Sequence, residues 1–127
     1  MKIVGIVGWK NTGKTYFASK IINKLKTKNY RIASIKHAHH EFEIDHKGTD
    51  SFIHREAGSS QVIVSSSKRW AKITELNNCK EQTLNDLLKQ LNETDIVIVE
   101  GFKNDNHPKI EIIKKGSNHH LFNKISN

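Results

Sequence analysis

Apolar positions along the chain gather into short runs separated by longer polar stretches. Lys2 leads into Ile3-Val4-Gly5-Ile6-Val7, a nearly continuous β-branched run. A run of this kind, without polar alternation, predicts a strand buried on both faces of a parallel sheet. Asp95-Ile96-Val97-Ile98-Val99 has the same character and predicts another buried strand, ending at Glu100-Gly101. After the first run the period changes. Phe17, Ile21 and Leu25 recur at every fourth position with Ala18 and Ile22 beside them, and lysines fill the opposite face. That spacing predicts an amphipathic helix from Gly13 to about Lys28. Arg31 to Lys36 then reads as a strand, completing a right-handed parallel βαβ unit.

The middle of the chain is polar. His37 to about Asp50 shows little periodicity and is too long for a passive connection. A short helix is predicted from Asp50 to Ala57, capped by Asp50 or Ser51 and stopped at Gly58. Gln61–Ser65 and Trp70–Thr74 read as two strands joined by the turn at Ser66–Arg69. Asn78 and Glu81 resemble a capping pair, and the helix expected after them runs to about Leu91, burying Leu84, Leu87, Leu88 and Leu91. Lys109–Ile113 is a last short strand, and the tail from about Lys115 is polar with no assigned element. The expected fold is α/β: a mostly parallel central sheet flanked by helices, with a short C-terminal end.

The first strand opens directly onto Gly8-Trp9-Lys10-Asn11-Thr12-Gly13-Lys14-Thr15, which spells G-x-x-x-x-G-K-T. A strand, a glycine-bounded turn and a helix N-terminus in succession form the context of a phosphate-binding P-loop. Backbone N–H groups and the positive end of the helix dipole face one point there. Lys14 is the expected cation for the β/γ-phosphates, and the Thr15 hydroxyl is the expected Mg²⁺ ligand. Glu100 ends an apolar strand, where ligands of open α/β sheets gather, and is the candidate carboxylate for Mg²⁺ or its water. Asp95 would lie at the opposite rim. The base is left open between ATP and GTP. Asn23-Lys24-Leu25-Lys26 looks like a guanine-reading Asn-Lys-x-Asp loop, but it ends in lysine and lies inside the first helix.

Composition narrows the classes further. The chain of 127 residues fits one domain, 1–127, and is short enough that a partner subunit is expected to complete the sheet. No apolar run is long enough to span a bilayer, and the Met-Lys start leads straight into a strand, so a cytoplasmic protein with no membrane partner is expected. The one cysteine, Cys79, has no partner for an internal disulfide. The formal charge of +8 is spread over helices and loops with no arginine-rich tract or aromatic RNA-binding signature. It points to phosphorylated small molecules rather than nucleic acid.

His37, His39, His40, His46 and His54 crowd one segment together with Glu41, Glu43, Asp45 and Asp50. Their spacing matches no fixed zinc framework, although a Zn²⁺ or Ni²⁺ site is an alternative. The favoured reading is a loop that folds over a phosphorylated ligand. Lys36, the histidines and Arg55 would then meet anionic oxygens, while Asp45 or Asp50 assists Mg²⁺ or orients a water.

These segments resemble a known family. Lys36-His37-Ala38-His39-His40, Asp45-His46-Lys47-Gly48-Thr49-Asp50-Ser51 and His54-Arg55-Glu56-Ala57-Gly58 resemble the central segment of the molybdopterin-guanine dinucleotide biosynthesis protein B (MobB) family. Arg69-Trp70-Ala71, Glu100-Gly101-Phe102-Lys103 and Pro108-Lys109-Ile110-Glu111 are similar to the same family. The resemblance runs in order from about residue 2 to 113. It implies a homodimeric P-loop NTPase that binds GTP with Mg²⁺ and hydrolyses it weakly. Such a protein is an accessory to the MobA-type guanylyltransferase that joins GMP to molybdopterin.

By motif, Gly8, Trp9, Lys10, Asn11, Thr12, Gly13, Lys14 and Thr15 would bind the nucleotide, with Thr15 and Glu100 at the metal. Lys14, Glu100, Asp45 and Asp50 would act in catalysis, and His37, His39, Ser51 and Arg55 would line the groove by the γ-phosphate or the pterin. Arg55 or Arg69 is the candidate arginine finger, in cis or across a dimer. Family members usually continue past Lys109–Ile113 with another strand and a terminal helix. Here the chain ends through Gly116-Ser117-Asn118-His119-His120-Leu121-Phe122. A small-molecule kinase, a metallochaperone-type GTPase and a non-catalytic adaptor are the alternatives.

Overall fold

The computed structural model describes residues 1–117, 120 and 121; the rest of the expected polar tail, 118, 119 and 122–127, lies outside the described residues. Two compact units share the chain: Met1–His39 with Gln82–Asn127, and His40–Glu81.

The first unit holds β1 (Lys2–Val7), α1 (Lys14–Thr27), β2 (Ile32–Lys36), α3 (Leu84–Leu88), β5 (Ile96–Glu100) and β6 (Lys109–Glu111). Its strands form a four-stranded sheet in the order β2-β5-β1-β6, and each neighbouring pair is parallel. The two strands of the expected βαβ unit are therefore parallel but not adjacent, because β5 lies between them. No local pattern encodes that insertion. The unbroken apolar run Ile96–Val99 suits that central place, where both faces of the strand are covered.

The alternation along β5 feeds two cores. Ile98 packs with Ile6 and Ala18, joined by Ile21, Ile22 and Leu25 of α1. Val97 and Val99 point the other way and pack with Leu84, joined by Leu88, Leu91 and Phe102. Ile6, Val97, Ile98 and Val99 are almost wholly removed from solvent. Each such side chain contributes roughly 1.5–3 kcal/mol relative to exposure, so this small set anchors the sheet.

Two expected helix boundaries shift. α3 begins at Leu84, not after Asn78, because Asn77 and Asn78 both adopt left-handed backbone (φ 44° and 70°). The cap is Thr83, whose hydroxyl accepts from the Asp86 N–H while the Asp86 carboxylate accepts from the Thr83 N–H. The helix ends at Leu88, and Leu91 reaches the core from the turn that follows. Leu87 stays half-buried.

The second unit contains α2 (Asp50–Glu56) and the expected pair of strands β3 (Gln61–Ser65) and β4 (Trp70–Thr74), which pair antiparallel with Gln61 opposite Thr74 and Ser65 opposite Trp70. α2 is capped by Thr49, not by Asp50 or Ser51. The Asp50 carboxylate instead sits in the first helical turn. Val62 is the one buried hydrophobic residue here among the described residues. With so little apolar volume, the unit gathers around Arg55. Its guanidinium donates to Glu43 at 2.8 Å, Glu75 at 3.2 Å and Asp45 at 3.4 Å.

Candidate functional site

The turn between β1 and α1 takes its shape from three left-handed residues: Gly8 (φ 158°), Asn11 (φ 62°) and Gly13 (φ 90°). Gly8 is also fixed by space. A Cβ there would stand 2.6 Å from the Ile112 carbonyl oxygen and 2.8 Å from Thr12 Oγ1. Thr12 Oγ1 donates to the Trp9 carbonyl at 2.8 Å and tightens the turn from inside. α1 starts at Lys14 with no side-chain cap and no acidic residue in its first turn. The positive end of this helix is thus open toward the loop, as an anion-binding terminus requires.

Lys14 Nζ donates to the Gly8 and Trp9 carbonyls at 2.9 and 3.0 Å, which folds the ammonium back over the loop. Burial lowers its pKa, while the Glu100 charge pulls the other way. A partly desolvated ammonium held by two neutral carbonyls is ready to exchange them for charged oxygens.

Glu100 ends β5 level with Ile6 of β1, and this register brings it to the base of the loop. It is 9% exposed. Its Oε1 accepts from Thr15 Oγ1 and from Lys36 Nζ, both at 2.8 Å. Burial alone would raise the Glu100 pKa; the hydrogen bonds from Lys36 and Thr15 outweigh it, and the carboxyl is held below its ordinary range. A hydroxyl and a charged carboxylate oxygen in contact fit Mg²⁺, a hard cation that takes oxygen ligands and keeps several waters.

Beyond Glu100 the chain turns sharply. Gly101 (φ 104°) and Phe102 (φ 50°) are both left-handed, and a Cβ on Gly101 would lie 2.7 Å from the His37 Cβ. The close approach lets the His37 N–H donate to the Glu100 carbonyl at 2.8 Å, and the His37 and Phe102 rings stack with centroids 4.6 Å apart. His37, His39, Lys14, Phe102, Lys103 and Asp105 line a cleft of about 320 Å³ beside Gly8. A larger depression of about 610 Å³ lies at the opposite rim, by Tyr30, Arg31 and Asp95. There the Arg31 charge is already matched by Glu93 and Asp95. Of the two, it is the smaller cleft that adjoins the loop, through Gly8 and Lys14.

Sequence-predicted residues divide between the units. Gly8 to Thr15, His37, His39 and Glu100 belong to the first. Asp45, Asp50, Ser51 and Arg55 belong to the second, where the Arg55 side chain is 10% exposed and engaged by carboxylates. Among the described residues, no group of three or more His, Cys, Asp or Glu could hold a metal ion.

Three features escape the sequence reading. Lys36 pairs with Glu100, Phe102 stacks on His37, and His107 is buried with its Nε2 2.6 Å from where a Gly5 Cβ would be. The glycine interrupting the β1 run was the available signal for the last. Burial lowers the His107 pKa and favours the neutral ring.

The profile of the family described as molybdopterin guanine dinucleotide synthesis protein B matches residues 3–127. The molybdopterin-guanine dinucleotide biosynthesis adapter protein of Haemophilus influenzae is 43% identical over 110 residues, covering 85% of this chain and 61% of that protein. The protein of the same name from Escherichia coli is 36% identical over 119 residues, covering 92% of this chain and 68% of that one. The chain thus spans roughly three fifths to two thirds of the length of these relatives. Among solved structures, Bacillus subtilis MobB superposes with a TM-score of 0.74 at 28% identity, covering 91% of this chain and 70% of that one. A MobB homologue from Bacillus stearothermophilus, at 22% identity and TM-score 0.67 over 88% of this chain and 63% of that one, shares the fold.

Proposed function

We propose, from the premise that this chain belongs to the molybdopterin guanine dinucleotide synthesis protein B family, that it is a Mg²⁺-dependent GTP-binding accessory protein with weak GTPase activity. Its task is to assist a MobA-type guanylyltransferase in attaching GMP to molybdopterin, and it works as a homodimer in the cytoplasm. The observation that carries the nucleotide site is the convergence of Lys14, Thr15 and Glu100 at the open N-terminus of α1. Guanine as the base, and molybdopterin as the downstream substrate, rest on the family.

In this reading the loop amides from Gly8 to Thr15 and the Lys14 ammonium bind the triphosphate. The Thr15 hydroxyl and the Glu100 carboxylate hold Mg²⁺, which neutralises charge on the β- and γ-phosphates. His37 and His39 line the cleft where the γ-phosphate or the pterin would lie. Stabilisation of a loose phosphoryl-transfer transition state then comes from fixed positive charge. Arg55 is already surrounded by Glu43, Asp45 and Glu75, so its guanidinium is not free to act as an arginine finger in cis. That engagement is a reason to propose weak turnover for the isolated protein. The proposed roles of Asp45 or Asp50 in assisting Mg²⁺ or orienting a water, and of Ser51 in lining the groove, stay as the sequence suggests them.

Calorimetric titration with GTP and with ATP, each with and without Mg²⁺, tests the proposal. GTP is expected to bind, more tightly with Mg²⁺, and in preference to ATP. Lys14→Ala is expected to weaken GTP by about 10–100-fold, the loss of charged hydrogen bonds, while circular dichroism stays unchanged. Unaltered GTP affinity in Lys14→Ala overturns the site, and preference for ATP overturns the guanine assignment.

A further inference from the structure

Glu100 Oε1 is shared by two donors from different elements. Thr15 Oγ1 reaches it from the head of α1, and Lys36 Nζ reaches it from the end of β2, each at 2.8 Å. The first contact joins two oxygen ligands suited to Mg²⁺. The second puts an ammonium against the same carboxylate oxygen. Two cations cannot both sit in contact with one oxygen without strong mutual repulsion in a partly desolvated site.

The two partners of this ion pair differ in their freedom. The Glu100 side chain is 11% exposed and the Lys36 side chain 61% exposed. A buried carboxylate left without a cation is costly, so Glu100 needs a counter-ion at all times. Lys14 does not make that contact, because its ammonium lies on the Gly8 and Trp9 carbonyls. Lys36 does, through a flexible stem that can swing away without unpacking either core.

We propose that Lys36 is a resident counter-ion at the magnesium position. It pairs with the Glu100 carboxylate and keeps it aimed at Thr15 when no divalent cation is bound, and gives up Oε1 when one enters. Lys36 thereby sets how strongly nucleotide binding depends on divalent cation. This deepens the reading above and rests on its assignment of Thr15 and Glu100 as the cation site.

The test titrates Mn²⁺, a spectroscopic substitute for Mg²⁺, into the nucleotide-free full chain and reads free Mn²⁺ by electron paramagnetic resonance. Lys36→Met is expected to bind Mn²⁺ about tenfold more tightly than wild type, as the competing charge is gone. Lys36→Gln, which keeps a polar tip, should do the same if the methionine variant folds poorly. Lys36→Arg should stay near wild type. In a Glu100→Gln background Lys36→Met should add nothing, which separates competition at Glu100 from a general loss of positive charge.

A second readout is GTP affinity. Lys36→Met should weaken GTP in EDTA and leave it nearly unchanged in Mg²⁺, so the Mg²⁺ effect on GTP grows by about tenfold. A purely structural role would weaken both alike. Mn²⁺ affinity unchanged or lowered in folded Lys36→Met and Lys36→Gln overturns the inference, whatever GTP does. The expected Mn²⁺ pattern in a protein that fails to bind GTP would sustain the counter-ion role of Lys36 and sink the nucleotide reading, with the coupling to nucleotide that rests on it.

Discussion

The Thr15 hydroxyl donates to Glu100 at 2.8 Å across 85 residues of sequence. The sheet makes this contact inevitable. β1 and β5 run parallel in a register that sets Ile6 beside Glu100, and the loop begins two residues after Ile6. The end of one strand and the start of the helix after the other therefore meet at the same rim. Parallel strands bring their carboxyl ends together, and that is where the polar groups of this unit accumulate.

Thr15→Ala should separate the phosphate part of binding from the metal part. The loop amides and Lys14 remain, so GTP affinity in EDTA is expected to stay within about threefold of wild type, whereas in Mg²⁺ it should fall by about tenfold, the weight of a lost hydrogen bond or ligand to a charged group. Calorimetry in the two buffers checks both halves. An equal loss in both would mean that Thr15 supports the loop, not the cation.

Gly101→Ala should damage the fold and the cleft together. The backbone there is left-handed at φ 104°, and the new Cβ would face the His37 Cβ at 2.7 Å. Both effects destabilise, for an expected cost of about 1–3 kcal/mol in denaturant unfolding. The His37 N–H bond to the Glu100 carbonyl lies next to the intrusion, so His37 amide exchange should accelerate. Gly13→Ala is the contrast: it shares a positive φ of 90° but no atom stands within 4 Å of its Cβ, so only the backbone term remains.

Much of this rim was legible in the sequence because its signals are local. The β-branched runs gave β1 and β5, the glycine spacing gave the loop, and an acid after an apolar run gave Glu100. What was hidden depends on strand order. Lys36 ends β2 as Glu100 ends β5, and only the β2–β5 pairing, with Lys36 beside Glu100, makes them partners. Capping was misread for a related reason. Several polar residues precede each helix, and which of them caps is decided by backbone angles such as those of Asn77 and Asn78, not by residue type. Arg55 looked like a free cation because its three acidic neighbours are 10 to 20 residues away along the chain.

The acid limb of stability should depend on Asp95. Hydrogen bonds from the Arg31 side chain and backbone N–H, with its charge, hold the Asp95 pKa at about 2, below its ordinary 3.8. A carboxyl with a depressed folded pKa stabilises above its unfolded pKa, and that contribution is lost as pH falls through the folded one. The window is therefore between about pH 4 and 2. Arg31→Gln should raise the Asp95 midpoint toward 3.8, as followed by carboxyl-carbon NMR, and flatten the fall in melting temperature over that window. A midpoint still near 2 in the variant would show that the ion pair is not its cause.

Arg55→Ala should distinguish a scaffold from a catalyst. The guanidinium bonds Glu43, Asp45 and Glu75, which come from before and after α2, so it ties together the segments of a unit that has little apolar core. Removing it leaves three carboxylates facing one another, and like charges so placed repel. Amides of β3 and β4 are then expected to exchange at least about tenfold faster, whereas those of β1 and β5, with their own cores, should be unchanged. Hydrogen exchange with mass spectrometry resolves the two sets. A catalytic arginine predicts the reverse: normal exchange throughout and a GTPase rate lower by orders of magnitude, about the 10³–10⁵ range of arginine fingers. That second pattern would return Arg55 to the chemistry and remove it from the architecture.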